Sequence, residues 1–163
     1  MKCFECGTEM KVSRETRRDK ESGLPNVTLK NVEVRRCLAC GAEDVVIPRI
    51  EELHRLLAKA LLHKPGRLTG PEVRYLRKYL GWSSEDFAAC MGVVRETISR
   101  WENGHEPMSP QAERLLRLAV AHEQPIEDYR VRDLCAVDQG QDEPAWVTAS
   151  LVERKWELAT AVA

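Results

Sequence analysis

Ser84-Glu85-Asp86-Phe87-Ala88-Ala89-Cys90-Met91-Gly92-Val93-Val94-Arg95-Glu96-Thr97-Ile98-Ser99-Arg100-Trp101-Glu102-Asn103-Gly104 has the internal grammar of two short helices joined by a sharp turn. Ala88 stands where the helices cross and only a small side chain fits. Gly92, four residues on, falls where the turn favours positive φ. Phe87, Met91, Val93, Ile98 and Trp101 supply the apolar positions that lock the second helix onto the first. Asn103-Gly104 reads as a left-handed stop. With Ile98 and Trp101 inward, Arg95, Glu96, Ser99 and Arg100 point outward. Arginine can donate two hydrogen bonds to guanine O6 and N7, and glutamate can accept from the cytosine amino group. Thr97 and Ser99 suit phosphates or bases. Val94 holds the N-cap position, where a hydroxyl or amide is the usual choice, and its methyls suit a thymine methyl. The plainer reading is a helical bundle with solvated arginines. The joint pattern favours a helix that enters the major groove of double-stranded DNA, with Val94, Arg95, Glu96, Thr97, Ser99 and Arg100 as the contacting residues.

Helical signals continue on both sides. Pro48 opens a helix in which Ile50, Leu53, Leu57, Ala60 and Leu61 share one face, ended by Lys64-Pro65-Gly66. Thr69 is placed as an N-cap with Pro71 in the first turn, Val73, Leu76, Tyr79 and Leu80 form an apolar face, and Gly81 ends the helix. Ser83 with Asp86 three residues on makes a capping box. Ser109-Pro110 starts a last helix with Leu115, Leu116 and Leu118 expected inward.

Upstream stand two matched pairs, Cys3-Phe4-Glu5-Cys6 and Cys37-Leu38-Ala39-Cys40, each followed by glycine, Gly7 and Gly41. Two such turns offer four thiolates to one centre, the ligand set of a single structural Zn2+. The competing reading is a pair of reducible disulfides, but neither pair sits in anything like a thioredoxin unit. Between the pairs, residues 10–18, Val27-Thr28-Leu29 and Val32-Glu33-Val34 read as strands, as does Glu43 to Ile47, with residues 22–26 as a loop. A unit this small folds poorly on apolar burial alone, and a bound metal supplies the deficit. The expected fold is therefore α+β: a zinc-bound β domain with a trailing helix over 1–64, an all-α helix-turn-helix domain over 68–121, and an acidic tail over 122–163.

Charge is uneven along the chain. Residues 1–70 carry 14 Lys and Arg against 10 Asp and Glu, 71–121 carry seven of each, and 122–163 carry four bases against nine acids. A basic front permits local phosphate binding within a chain of net charge −1. No leader is visible ahead of Cys3, and no apolar run approaches the ~18 residues that cross a membrane. Paired cysteines beside the isolated Cys90 and Cys135 suit a reducing cytoplasm, with Cys90 expected as a small core residue. The tail holds Trp146 and Trp156. Its Val147–Trp156 segment reads as a strand or a helix, docked either on the chain's own helical domain or on a second chain.

The run Val93 to Gly104 resembles the recognition-helix motif of the Xre/Cro-repressor family, and the paired cysteines resemble the YgiT-type zinc finger. In this order, over residues 1–121, the two look like an MqsA-type antitoxin of a type II toxin–antitoxin system. The resemblance implies a homodimeric repressor that binds a palindromic operator, and a zinc domain that holds a ribonuclease-type toxin. It places base reading at Glu96 and Arg100. An amide is typical of the family where this chain has Glu96. Solitary zinc-finger regulators share both motifs, so a stand-alone regulator with no toxin partner is the alternative.

An enzyme is not expected. Four thiolates leave no open position on zinc. There is no Gly-rich phosphate loop and no His-Glu-x-x-His, and His54, His63, His105 and His122 are scattered, with His54 and His63 read as surface residues.

Overall fold

The computed structural model describes residues 1–123 and 143–159. The architecture is α+β. A five-stranded sheet carries the cysteine cluster at one end and five helices follow, the sheet being completed by the far end of the chain. The strands are β1 (Met10–Arg18), β2 (Val27–Cys37), β3 (Glu43–Val46), β4 (Val147–Val152) and β5 (Lys155–Leu158). The helices are α1 (Ile50–Leu62), α2 (Gly70–Tyr79), α3 (Ser84–Met91), α4 (Arg95–Glu102) and α5 (Pro110–Glu123).

β2 is the spine. β1 runs antiparallel along one side. On the other, β3 pairs antiparallel with Glu33–Arg36 and β4 pairs parallel with Val27–Lys30, so the two lie end to end. The apolar residues of β2 do not keep one alternation: Val27 and Leu29 are buried, and so are Val32 and Val34. A bulge reconciles them. Thr16 of β1 faces both Lys30 and Asn31, between the pairs Glu15↔Val32 and Arg17↔Leu29. One extra residue returns the second apolar set to the face of the first. Asn31 absorbs the distortion at φ 61, a conformation asparagine tolerates better than most residues. Its side chain donates to Leu151 O at 2.6 Å, and its carbonyl accepts from Arg14.

The tail is where expectation and structure part. The sequence reading puts Val147–Trp156 on the helical domain or on a second chain. Instead it forms the β4–β5 hairpin and extends the N-terminal sheet. Val147, Ala149 and Leu151 alternate inward, and Trp156 is buried with its indole N–H donating to Pro48 O at 2.7 Å. A parallel neighbour needs a long crossover, and here the whole helical region lies between β2 and β4. Trp146, by contrast, is exposed. Residues 124–142, including Cys135, and 160–163 lie outside the described residues.

α1 buries Leu53, Leu57, Ala58, Leu61 and Leu62, packing on β4 and β5 and against α2 and α5. One apolar core therefore runs from Leu24 and Val27 through Leu57 and Leu76 to Phe87, Leu116 and Trp156. Buried charges tie the same elements. Arg117, fully buried, donates to the carbonyls of Leu61, Leu62, Lys64 and Gly66 at 2.7–3.2 Å and pairs with Glu113 at 2.8 Å. It supplies donors to carbonyls of the last turn of α1, where helical partners run out, and of the segment that follows. Glu113 also accepts from Arg67 and from the Leu68 N–H. Glu72 takes Lys64 at 3.0 Å, the Thr69 N–H at 2.7 Å and, through its other oxygen, the Ala145 N–H at 2.7 Å, which fastens the tail to the start of α2.

Three smaller expectations are corrected. Leu115 and Leu118 do not pack inward with Leu116: they are 45% and 52% exposed, because Leu116, Glu113, Arg117 and Val120 take the inner face of α5. Cys90 is exposed, since Phe87 and Ala88 are the buried residues of so short a helix. Thr69 occupies the N-cap of α2 as expected, and Glu72 accepts from the Thr69 N–H at 2.7 Å. His54, read as a surface residue, is half-buried: its Nδ1 lies 2.9 Å from the Tyr75 hydroxyl, which donates to the His54 carbonyl.

Candidate nucleic-acid interface and metal centre

α3 and α4 meet as two short amphipathic helices around an aromatic core. Phe87 is fully buried, stacked edge-on to Trp101 with ring centroids 6.4 Å apart, and Trp82 closes the other side at 6.0 Å. Ser83 caps α3, accepting from the Asp86 N–H at 3.0 Å, and its own N–H donates to the Asp86 carboxylate at 2.9 Å. The Asp86 carboxyl is held below its ordinary range by these bonds. Gly92 ends α3 at φ 66, and the Val93 N–H donates back to Ala88 O at 3.0 Å. No atom stands within 4 Å of where a Cβ on Gly92 would lie, so the glycine answers to the left-handed backbone and not to crowding. Gly70 is the opposite case. A Cβ there would lie 2.5 Å from Glu102 O and 2.8 Å from Trp101 O, so the first turn of α2 sits directly on the end of α4.

This contact is locked by charge. Arg77 reaches Glu102 at 2.5 Å and Arg74 reaches it at 3.1 Å. Burial opposes ionisation of Glu102, yet the two guanidiniums hold its carboxyl below the ordinary range. Arg74 also donates to Asn103 Oδ1 at 2.8 Å, and the Asn103 amide donates to Ser99 Oγ at 3.2 Å. Sequence reasoning does not single out Arg74 and Arg77, because nothing in their spacing marks a partner at Glu102.

Five of the six residues assigned to DNA stand on the exposed side of α4: Val94 at the N-cap, then Arg95, Glu96, Ser99 and Arg100. Thr97 is half-buried. Ile98 and Trp101 face the core. Both arginines meet acids of the same chain, Arg95 with Glu85 at 3.0 Å and Arg100 with Glu106 at 3.9 Å.

At the far end of β1 and β2 the four cysteine sulfurs lie within 4.8 Å of one another, with Cys3 and Cys40 at 3.6 Å and Cys6 and Cys37 at 3.3 Å. A tetrahedral ion with Zn–S bonds of about 2.3 Å requires sulfurs roughly 3.8 Å apart, so the set fits one metal ion. The two turns are built alike. Gly7 N–H donates to Cys3 O and Gly41 N–H to Cys37 O, each at 3.0 Å, with both glycines at φ above 70°. Cys3 and Cys37 are buried, Cys6 and Cys40 exposed. Crowding divides the thiols. Hydrogen bonds from Thr8, then from Cys37 and Cys40, lower Cys6 to about 6. At Cys40 the Ala42 N–H favours the thiolate, but hydrogen bonding with Cys6, partial loss of hydration and hydrogen bonding with Cys37 and Cys3 outweigh it and push it up to about 12. Four thiolates this close need a cation to coexist.

A family model described as helix-turn-helix matches residues 73–128, of which 73–123 are described structurally. The chain thus carries an Xre-type helix-turn-helix domain behind a four-cysteine cluster, an arrangement that supports a DNA-binding transcriptional regulator. No curated protein matches the chain. Among the described residues no helix is long and apolar enough to cross a membrane.

Proposed function

We propose that this chain is a homodimeric, sequence-specific transcriptional repressor with no catalytic activity, whose α4 reads a palindromic operator in the major groove and whose four cysteines hold one structural zinc. The observation that carries the reading is the exposed row Val94, Arg95, Glu96, Ser99 and Arg100 along α4, the second helix of the α3–α4 pair within the matched residues. Zinc would sit between Cys3, Cys6, Cys37 and Cys40, tying the β1–β2 end together with no coordination position left for a substrate. Replacing Arg100 by Ala is expected to weaken operator binding by about 1–3 kcal/mol and to relax preference at one base pair. Fluorescence anisotropy on duplexes selected by the wild type measures both. Identical affinities and preferences for the two proteins would refute the assignment.

The dimer reading is supported by α5. Leu115 and Leu118 are both about half exposed and lie on one side of that helix. Single helix-turn-helix units bury little surface on DNA, and two half-sites about one helical turn apart are the usual remedy. Leu118→Glu is expected to convert the dimer to monomer in sedimentation velocity at micromolar concentration, with the operator then bound more weakly. A dimer that persists unchanged places the interface elsewhere.

Within this reading, an antitoxin role is supported by the outer edge of β1. It is nine residues long, pairs with no further strand among the described residues, and exposes Lys11, Arg14 and Arg18. Such an edge offers a protein partner more than metal binding needs. Co-expression with the neighbouring reading frame separates the two: a toxic product neutralised and co-purified supports the antitoxin, and a harmless one that never co-purifies supports the stand-alone regulator.

A further inference from the structure

The outward side of α4 is not a positively charged surface. Its two arginines are each met by an acid from outside the helix, Arg95 by Glu85 and Arg100 by Glu106. Glu96, in the first turn, is exposed and has neither an ion pair nor a side-chain hydrogen bond among the described residues, although Arg100 lies one helical turn away. Two guanidiniums against three carboxylates leave one negative charge over, and Glu96 is the carboxylate left unpaired.

A carboxylate only accepts hydrogen bonds. On the floor of the major groove the donors are the amino groups of cytosine and adenine, while guanine and thymine show acceptors at the corresponding edge, and phosphates line both walls. A glutamine in the same place would find a partner at every base, because its amide both donates and accepts. We infer that Glu96 sets the sequence preference of this protein by exclusion, admitting only a half-site that presents a cytosine or adenine amino group to it and repelling others. The inference rests on the DNA-reading role proposed for α4. Glu85 is predicted to act differently. It neutralises Arg95 in the free protein, so removing its charge frees a cation for the duplex without changing which base is preferred at the position Glu96 faces.

The test is selection from a random duplex pool with wild type, Glu96→Gln and Glu85→Gln, followed by binding to the wild-type-selected duplex, to the same duplex changed at the position assigned to Glu96, and to one of scrambled sequence. Both substitutions lie at exposed side chains, so folding is retained. Wild type is expected to select cytosine or adenine at one position of each half-site and to lose roughly tenfold in affinity when guanine or thymine replaces it. Glu96→Gln is expected to accept all four bases there with little loss. Glu85→Gln is expected to keep the wild-type choice at that position and to bind every duplex more tightly. The inference is overturned if Glu96→Gln keeps the wild-type preference and penalty, or if the two variants alter base preference alike. A wild type that enriches no sequence overturns the DNA-reading role itself, and the inference with it.

Discussion

Arg117→Ala is expected to lower the unfolding free energy by about 3–5 kcal/mol, a large part of the margin by which a domain of this size is stable. The side chain is fully buried and is the shared donor for four carbonyls at the end of α1 and in the segment leading to α2, while also neutralising Glu113. Truncation leaves those carbonyls without their donor. It also leaves a buried carboxylate with Arg67 and the Leu68 N–H as its remaining partners. Urea denaturation followed by circular dichroism measures the loss as a fall in the midpoint. Arg117→Lys is expected to recover only a minor share, since one ammonium cannot reproduce a planar fork aimed at several acceptors. A midpoint shift worth less than about 1 kcal/mol for Arg117→Ala would show that water or a rearranged Arg67 replaces the side chain, and that the junction between α1 and α5 is less dependent on it than the geometry implies.

The second large effect is expected at the cysteines. Cys37 is the last residue of β2, the strand that pairs with β1, β3 and β4. Loss of the metal should therefore not stay local. Cys37→Ser, or chelation of the wild type, is expected to abolish metal binding, to melt β1 and the cysteine turns, and to lower Tm by roughly 10–20 °C, corresponding to about 5 kcal/mol of the larger free energy with which zinc drives small domains to fold. Native mass spectrometry should find one zinc per wild-type chain. Four cysteines recovered as two disulfides, or a Cys37→Ser protein with unchanged metal content and Tm, would contradict the site.

The helices and the cysteine turns are legible in the sequence because each carries local chemistry. Ser83 and Asp86 announce a cap, Gly92 and Gly104 announce turns, and a repeated Cys-x-x-Cys announces a shared ligand. The strands β1, β2 and β3 are legible in pieces. The break in alternation between the buried pair Val27 and Leu29 and the buried pair Val32 and Val34 is not explained by β2 alone, because it depends on a bulge opposite Thr16 that only the pairing with β1 defines. The tail is the least legible. Val147, Ala149 and Leu151 do alternate, but a six-residue strand that returns to β2 from the far side of the chain leaves no mark of its partner in its own sequence. Leu115 and Leu118 depart from expectation for a related reason. Helical periodicity shows that residues share a side, and the fully buried Arg117 and Glu113 show that this helix gives part of its inner side to charge. The residues assigned to DNA rest on their exposure along α4, and the acids opposite Arg95 and Arg100 come from sequence positions that no spacing rule connects to them.

Base reading by α4 is tested by selection of DNA from a random pool with this chain, repeated with Arg100→Ala. Wild type is expected to enrich one inverted pair of half-sites about one helical turn apart, and Arg100→Ala to lose preference at a single symmetric position of that pair. Enrichment of no sequence, or of the same sequence with the same preference by both proteins, would contradict it.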